Sequence, residues 1–144
     1  MDREVPLRPQ PSVAADEAAI MATVDAISCA MIARDLAAAM AVFEDSDAIL
    51  LVGSDDGEVF KGRAAVRACF GDLMQLPFTF SFETPEPIIS VIGDTAWMFV
   101  EAVMIHTPAE GKPGRMSYRI SLCLVRSADS WLWQLFHGSI PRVD

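Results

Sequence analysis

Residues 130–141 read SWLWQLFHGSIP, and this stretch decides the fold of the chain. Its large apolar side chains fall at both odd and even positions, so a strand here would leave neither face fully exposed to water. Simple alternation places one set on a common face: Trp131, Trp133, Leu135, His137 and Ser139. We expect one face to meet helices inside the molecule and the other face to meet a partner chain.

Three more strand-like runs precede this one. They are rich in Phe, Val and Ile and read TFSFETPEPIISVI (79–92), TAWMFVEAVMIH (95–106) and RMSYRISLCLVR (115–126). The connecting segments GD, PAEGKPG and SAD carry turn-forming residues, which predicts an antiparallel meander. The TPEP motif at 84–87 favours a break in the first run, because proline cannot donate to a sheet ladder. The alternating Phe78, Phe80 and Phe82 are predicted to lie in the core or in an interface.

The N-terminal half shows helical periodicity instead. Apolar residues recur at three- and four-residue spacing from 14 to 34, with Ser12 or Asp16 as candidate caps. Asp35 is predicted to be the N-cap of a second short helix over 36–43. This pattern indicates two consecutive helices at the start of the domain.

A short hairpin and a third helix complete the sequence pattern. AILLVGS and EVFKG flank a DDGE turn, in which Gly57 supplies the positive φ that a hairpin needs. RAAVRACFGDLMQL then repeats apolar residues on one face until Pro77 ends the helix. Helices first and a meander afterwards predict an α+β fold.

Length and charge limit the classes of partner and location. The 144 residues fit a single domain over 14–144, preceded by a proline-rich segment, residues 1–13, that we expect to be a flexible arm. The net charge of −9 predicts no binding to nucleic acid or to an anionic membrane, because like charges repel phosphate. No run approaches the ~18 apolar residues of a membrane span, and no signal peptide is visible. We therefore expect a cytoplasmic protein.

The cysteines and histidines form no recognisable metal or disulfide motif. Cys29, Cys69 and Cys123 lie far apart, which favours reduced thiols. His106 and His137 have no cysteine or carboxylate at ligand spacing, so no metal is expected, and His106 is predicted to be exposed beside a loop. No glycine-rich phosphate loop or nucleophile motif occurs, and no cofactor is expected.

The order of these elements resembles the SnoaL-like group of the nuclear transport factor 2-like superfamily. The resemblance rests on IARDLAAAMAVFEDSDAILLVGSDDGEVFKGRAAVRACF (32–70) and on SWLWQLFHGSIP, and it covers about residues 14–143. It implies a cone-shaped fold in which N-terminal helices pack in the hollow of a strongly curved, mostly antiparallel sheet. It also implies a pocket inside the cone and a homodimer formed through the outer face of the sheet.

The relatives in this superfamily differ in activity, so the fold does not decide the function. They include ketosteroid isomerase, scytalone dehydratase, polyketide cyclases and the association domain of calcium/calmodulin-dependent kinase. The Asp and Tyr constellation of ketosteroid isomerase is not matched, since the single tyrosine, Tyr118, has the opposite strand parity to Arg119.

Arg119 is a candidate for binding an anionic ligand group. The SnoaL-like group often carries Arg-x-Ser or Arg-x-Thr on this strand, which Arg119, Ile120 and Ser121 match. An arginine in the cavity would favour a carboxylate, enolate or phenolate through its forked hydrogen-bond donors. If the SAD loop keeps an even register, Arg119 and His137 face the same side of adjacent strands. The alternative for Arg119 is a salt bridge on the outer face.

His137 and Ser139 lie at the far end of the terminal strand. The small Gly138 between them would let a ligand or another chain approach, which favours a pocket-lining role. The alternative is a structural histidine that is hydrogen-bonded to a backbone carbonyl or to a partner chain.

Glu101 interrupts an apolar strand, where a charge needs a partner or a raised pKa. A turn near Glu110 and Gly111 places Glu101 opposite Arg119, which predicts a cross-strand ion pair. The alternative is a carboxylate base in an apolar cavity that removes a proton beside a carbonyl. Glu101 or Asp47 would then stand, by analogy, for the acidic pocket residue of the polyketide cyclases.

Two functional hypotheses follow. The first is a small-molecule binding protein, or a cyclase, isomerase or dehydratase, with an apolar pocket for a hydrophobic carbonyl compound. Its candidate catalytic residues are Glu101, Arg119 and His137, and its candidate ligand contacts are Arg119, His137, Ser139, Trp97 and Trp133. The second is a non-catalytic homodimerising or ligand-sensing module in which the polar groups form structural pairs. Convergence of the three catalytic candidates into one cavity would favour the first hypothesis.

Overall fold

Helices and strands follow one another in the predicted order. A computed structural model describes residues 13–142 of the chain. Its three helices are α1 (Val13–Ala33), α2 (Leu36–Ala41) and α3 (Arg63–Leu73). The strands within the same range are β1 (Leu50–Val52), β2 (Val59–Lys61), β3 (Phe78–Glu83), β4 (Ile88–Ile92), β5 (Thr95–Pro108), β6 (Gly114–Ser127) and β7 (Ser130–Ser139).

The strands form one curved sheet in the order β2-β1-β7-β6-β5-β3, with β4 also paired to β5. β1 runs parallel to β7, and the other strand pairs are antiparallel. Long-range pairing of β5 with β6 and of β6 with β7 forms the centre of this sheet. The predicted α+β fold, with helices first and a mostly antiparallel curved sheet afterwards, is confirmed.

The run at 79–92 forms two strands rather than one. β3 pairs with the C-terminal half of β5, from Val103 to Pro108, and β4 pairs with its N-terminal half, from Thr95 to Phe99. The TPEP segment separates them, and Glu86 there has a φ of 51°. The predicted break at 84–87 is therefore confirmed, and it allows one long strand to take two short partners along the same edge.

Local turn and cap chemistry agrees with the predictions where it can be compared. The Asp35 carboxylate accepts a hydrogen bond from the Ala38 backbone N–H at 3.0 Å, as an N-cap does. Gly57 has a φ of 79° in the β1–β2 turn. Ser12 lies outside the described residues. Asp16 uses its carboxylate differently from the predicted cap, because it accepts hydrogen bonds from Arg126 and Trp131.

Helix α1 packs on one face of the sheet, the inner face. Two of its hydroxyl groups hold it there: Ser28 Oγ accepts the backbone N–H of Phe82 at 3.0 Å, and Thr23 Oγ1 accepts the indole N–H of Trp133 at 2.7 Å. Buried residues of the inner face, among them Met98, Ile120 and Leu122, form the core with α1. The opposite face of the sheet is called the outer face.

A β-bulge in β7 changes which of its side chains share a face. Cys123 pairs with Leu135 and Leu124 pairs with Trp133, so Gln134 is an extra residue in the ladder. Trp133 lies on the inner face and is 1% exposed, whereas Leu135 lies on the outer face with Cys123. The predicted common face of the two tryptophans with Leu135, His137 and Ser139 was wrong, because simple alternation fails across the bulge.

The predicted arm, residues 1–13, lies outside the described residues except for Val13, which begins α1. Among residues 13–142, none of the helices is long and apolar enough to cross a membrane.

Candidate ligand-binding cavity

A cavity of about 480 Å³ lies between the helices and the inner face of the sheet. Helix α1 contributes Ile27 and Met31, and helix α3 contributes Phe70 and Leu73. The inner face of the sheet supplies most of the aromatic wall: Phe78, Phe80, Phe82, Trp133 and Phe136. Elements that are remote in sequence therefore enclose one apolar space.

The polar groups of the cavity gather beside the β1–β2 turn. Ser54, Asp55 and Glu58 come from this turn, Cys69 comes from α3, and Tyr118 comes from β6. Ser54 and Asp55 are exposed, whereas Cys69 and Tyr118 are buried. The turn therefore forms the edge of the cavity toward solvent, and the phenol and the thiol lie deeper.

Tyr118 is the largest polar side chain in the wall. It is 5% exposed, and its ring stacks on Phe82 with the ring centroids 5.6 Å apart. Burial raises the pKa of Tyr118, a hydrogen bond with Ser54 opposes this shift, and the negative charges of Glu58 and Asp55 add to it. The hydroxyl is therefore neutral at physiological pH, and it can donate or accept a hydrogen bond.

Gly138 makes room for this ring on the neighbouring strand. A Cβ atom at Gly138 would lie 2.6 Å from Cζ of Tyr118 and closer still to its hydroxyl oxygen. The small residue was expected to let a ligand or another chain approach. The group that approaches is instead the phenol of the same chain, and Gly138 thereby shapes the cavity wall.

Glu58 is positioned by the backbone of the same turn. Its carboxylate Oε1 accepts the Asp55 backbone N–H at 2.8 Å. The side chain also lies against Gly53, where a Cβ atom would be 2.7 Å from Oε1. None of the ion pairs between described residues includes Glu58 or Asp55. Two uncompensated carboxylates therefore stand at the solvent edge of the cavity.

Cys69 is a buried thiol in the α3 wall. Burial, and then the charges of Glu58 and Asp72, raise the pKa of Cys69 to about 11. The thiol is protonated at neutral pH, and so it contributes a small, weakly polar surface rather than a nucleophile.

The structure places four predicted ligand contacts away from this cavity. Arg119, His137 and Ser139 lie on the outer face, where Arg119 pairs with Ser139 and His137 pairs with Ser121. Arg119 and His137 are therefore on the same side of adjacent strands, and both are exposed. Trp97 is also on the outer face and is 44% exposed. Trp133 is the predicted contact that does line the cavity.

Glu101 and Arg119 are cross-strand neighbours, as the ion-pair interpretation predicted. Arg119 Nη2 and Glu101 Oε1 are 3.5 Å apart, and the side chains are 47% and 74% exposed, respectively. The three catalytic candidates, which include His137, thus lie on the outer face and do not converge in the cavity. Asp47 is exposed and does not line the cavity either.

His106 lies on the inner face rather than in the solvent-exposed position that was expected. It is half-buried, and its ring centroid is 4.3 Å from that of Phe78. It lines a second hollow of about 330 Å³ together with Arg115. Phe78, Phe80 and two methionines belong to both hollows, so the two spaces are neighbours. Arg115 is held by Glu83 through two hydrogen bonds of 2.9 and 2.7 Å.

Sequence reasoning overlooked Glu58 and did not connect Tyr118 to the cavity. The signals were present: Glu58 follows the glycine of the predicted turn, and Tyr118 is the single tyrosine, on the strand face opposite to Arg119. Within the described range, no group of three or more His, Cys, Asp or Glu side chains is arranged to hold a metal ion.

Solved structures with the same fold are numerous. The chain superposes on a nuclear transport factor 2-like superfamily protein from Salmonella enterica serovar Typhimurium with a TM-score of 0.76 and 14% identity, covering 92% of this chain and 95% of that chain. It is similar to a Streptomyces avermitilis protein provisionally named a dehydratase of the same family (TM-score 0.76, 18% identity, coverage 89% and 98%). At these identities the likeness shows the fold alone.

A third similar structure, from Thiobacillus denitrificans, is provisionally named a calcium/calmodulin-dependent protein kinase type II association domain. Its TM-score is 0.68 at 24% identity, and the alignment covers 85% of this chain and 94% of that chain. No curated protein matches the sequence significantly. The family model of the SnoaL-like domain matches residues 20–143, which is most of the chain. The protein therefore belongs to the SnoaL-like domain family.

Proposed function

We propose that this protein binds a small hydrophobic molecule in the cavity between its helices and the inner face of its sheet. The observation that carries the proposal is the cavity of about 480 Å³ with an aromatic wall and a few polar groups at one edge. Small-molecule sites are commonly apolar clefts of roughly 300–1,000 Å³ with a small number of orienting polar groups.

The polar side chains of the cavity also determine which reactions a bound molecule could undergo there. Tyr118 can donate a hydrogen bond to a carbonyl oxygen, and Glu58 can accept a proton or a hydrogen bond at the cavity edge. The isomerase, cyclase or dehydratase hypothesis would therefore depend on these two residues. Glu101, Arg119 and His137 lie on the outer face and do not line this cavity.

The test is binding of a neutral hydrophobic dye, N-phenyl-1-naphthylamine, followed by its fluorescence. We expect saturable binding to the unaltered chain and weaker binding, by about tenfold or more, in a Cys69→Phe variant, because the added ring fills cavity space. Cys29→Phe is the matched control, since Cys29 is exposed on α1. Thermal unfolding of both variants checks that they are folded. Equal dye binding by folded Cys69→Phe would contradict the proposal.

A second function has its own supporting observation. Ile88, Ile92 and Trp97 are 58%, 68% and 44% exposed and lie together on the outer face at the paired ends of β4 and β5. Apolar side chains that are grouped in this way favour an interface, because they would otherwise order water at a cost. We infer that the outer face forms a homodimer. A dimer and a ligand cavity are compatible, because the two surfaces lie on opposite faces of the sheet.

A further inference from the structure

The charged groups that line the cavity have a single sign. Among the described residues of its wall, Asp55 and Glu58 are the charged side chains, and no lysine or arginine joins them. The remaining polar side-chain groups of the described wall are the hydroxyl groups of Ser54 and Tyr118, the Cys69 thiol and the Trp133 indole N–H, which donates to Thr23. The cavity therefore offers hydrogen-bond acceptors and negative charge, and no cation for an acidic ligand.

No ion pair between described residues includes either of these carboxylates. The basic side chains at the end of β2 and the start of α3 have other partners: Lys61 donates to the backbone carbonyl of Asp47, and Arg63 pairs with Asp45. Arg115, beside the second hollow, is held by Glu83. The charge at the cavity edge is thus available to a ligand.

We infer that the cavity selects a hydrophobic amine, with its ammonium group beside Glu58 and Asp55 and its rings among the phenylalanine side chains. This inference rests on the proposed function, because it names the ligand class for the same cavity. It reverses the prediction made from Arg119, which favoured a ligand with a carboxylate, enolate or phenolate.

Three physical effects support a cationic ligand. An ammonium group within a few ångströms of a carboxylate is attracted to it, and the attraction is larger at a partly desolvated edge than in bulk water. The aromatic faces of the wall also attract cations. The net charge of −9 raises the local concentration of cations and lowers that of anions around the whole protein. A ligand with a carboxylate would be repelled by the two carboxylates of the cavity edge, by the aromatic faces of the wall and by the net negative charge of the protein.

The experiment compares three ligands that share one ring system and differ in one polar group. They are 2-naphthylethylamine, 2-naphthylethanol and 2-naphthylacetic acid, each titrated into the full chain by calorimetry at neutral pH and low salt. We expect the amine to bind most tightly, the alcohol less tightly and the acid most weakly. The amine and the acid should differ by about tenfold or more, and the difference should shrink as salt is added.

A variant that removes one negative charge tests whether Glu58 is the source of the preference for the amine. Glu58→Gln keeps the size of the side chain and the oxygen that accepts the Asp55 N–H. It should weaken amine binding by about fivefold and leave alcohol binding nearly unchanged. Glu110→Gln is the matched control: it removes the same charge from an exposed loop residue that does not line the cavity. Circular dichroism and thermal unfolding check that both variants are folded.

The outcomes separate the two proposals. Acid binding as tight as amine binding, or an unchanged amine affinity in Glu58→Gln, would overturn the amine inference and leave the ligand cavity in place. If none of the three compounds binds, and the neutral dye also fails to bind, the proposed function itself is overturned.

Discussion

The carboxylate of Asp16 accepts two hydrogen bonds from the guanidinium of Arg126, at 2.9 and 3.0 Å, across 110 positions of sequence. The Trp131 indole N–H donates to the same carboxylate at 3.3 Å. The guanidinium also lies 4.4 Å from the centroid of the Trp131 ring. These contacts join the first turn of α1 to the strand ends of β6 and β7, so they hold the start of the helix on the sheet.

Replacing Asp16 with Asn should destabilise the fold. Asp16 is 7% exposed, and the substitution leaves Arg126 beside a neutral amide that cannot accept two charge-assisted hydrogen bonds. We expect the free energy of unfolding to fall by about 2 kcal/mol, measured by urea denaturation. Glu17→Gln is the matched control on the same helical turn and should change stability little. Equal effects of both substitutions would contradict the importance of the pair.

The contribution of Asp16 should also depend on pH in a stated direction. Hydrogen bonding from Arg126 holds the pKa of Asp16 below its ordinary value of 3.8 in the folded state. The carboxylate therefore stabilises the fold above that ordinary value, and its contribution is lost as the pH falls through the lower folded pKa. The stability difference between the unaltered chain and Asp16→Asn should be full at neutral pH and should shrink in acid. A stability difference that stays constant with pH would mean that the charge of Asp16 is not the source of its contribution.

Gly138→Ala should damage the cavity wall. The added methyl group would overlap the Tyr118 ring, whose Cζ lies 2.6 Å from the position of the new atom. We expect a loss of about 1–3 kcal/mol in the free energy of unfolding and weaker dye binding, because the buried ring must move. Gly71→Ala is the contrasting control: nothing lies within 4 Å of its added methyl group, and alanine favours the α3 helix. It should be neutral or stabilising by up to about 1 kcal/mol.

The three cysteines should differ in reactivity toward an aromatic disulfide reagent. Cys29 and Cys123 are exposed, whereas Cys69 is buried with a pKa raised to about 11. Slightly above neutral pH, only about 0.1% of the Cys69 thiols are thiolates, so Cys69 should react far more slowly than Cys29. Cys123 is the cross-strand neighbour of Trp97 on the outer face, so the proposed homodimer would shield it. Raising the pH toward 10 should speed the Cys69 reaction by roughly tenfold per pH unit. Mass spectrometry of the adducts measures this order, and rapid labelling of Cys69 would contradict it.

Glu101→Gln should have little effect on stability or on ligand binding. The pair that Glu101 forms with Arg119 has a 3.5 Å separation and lies on the exposed outer face. Exposed pairs of this kind contribute about 0–1 kcal/mol, because solvent screens the charges. Urea denaturation and dye binding measure both effects. A large loss of dye affinity in a monodisperse Glu101→Gln protein would place Glu101 in the binding site and contradict the assignment of the cavity.

Trp97→Glu should disrupt the proposed homodimer. The charge would enter the exposed apolar group of Ile88, Ile92 and Trp97, where an unpaired buried carboxylate is costly in an interface. We expect a shift from dimer to monomer, or a dissociation constant raised by at least about tenfold, in sedimentation equilibrium. Ile32→Glu on α1 is the matched control at a similarly exposed apolar residue. A monomeric unaltered chain would remove the dimer proposal altogether.

The cross-strand position of Glu101 could be predicted from the sequence because it depends on a nearby turn. The turn near Glu110 correctly placed Glu101 opposite Arg119, since an antiparallel register follows from the position of the turn. The shared side of Arg119 and His137 was expected from an even register at the SAD loop, but that loop pairs Ser127 with Ser130, and it is the bulge at Gln134 that brings the two residues to one side of adjacent strands. What the local pattern could not indicate was whether that side faced the helices or the solvent.

The sequence by itself determined the order and type of the elements, because helical period, strand alternation, the Asp35 cap and the Gly57 turn are properties of short segments. The tertiary structure decided which side chains lie on the inner and outer faces of the sheet and which residues line the cavity. An extra residue at Gln134 shifts the ladder of β7, so that Trp133 points inward and His137 points outward. Glu58 and Tyr118 meet at one cavity because chain segments sixty positions apart in the sequence pack together, and no local pattern encodes that meeting.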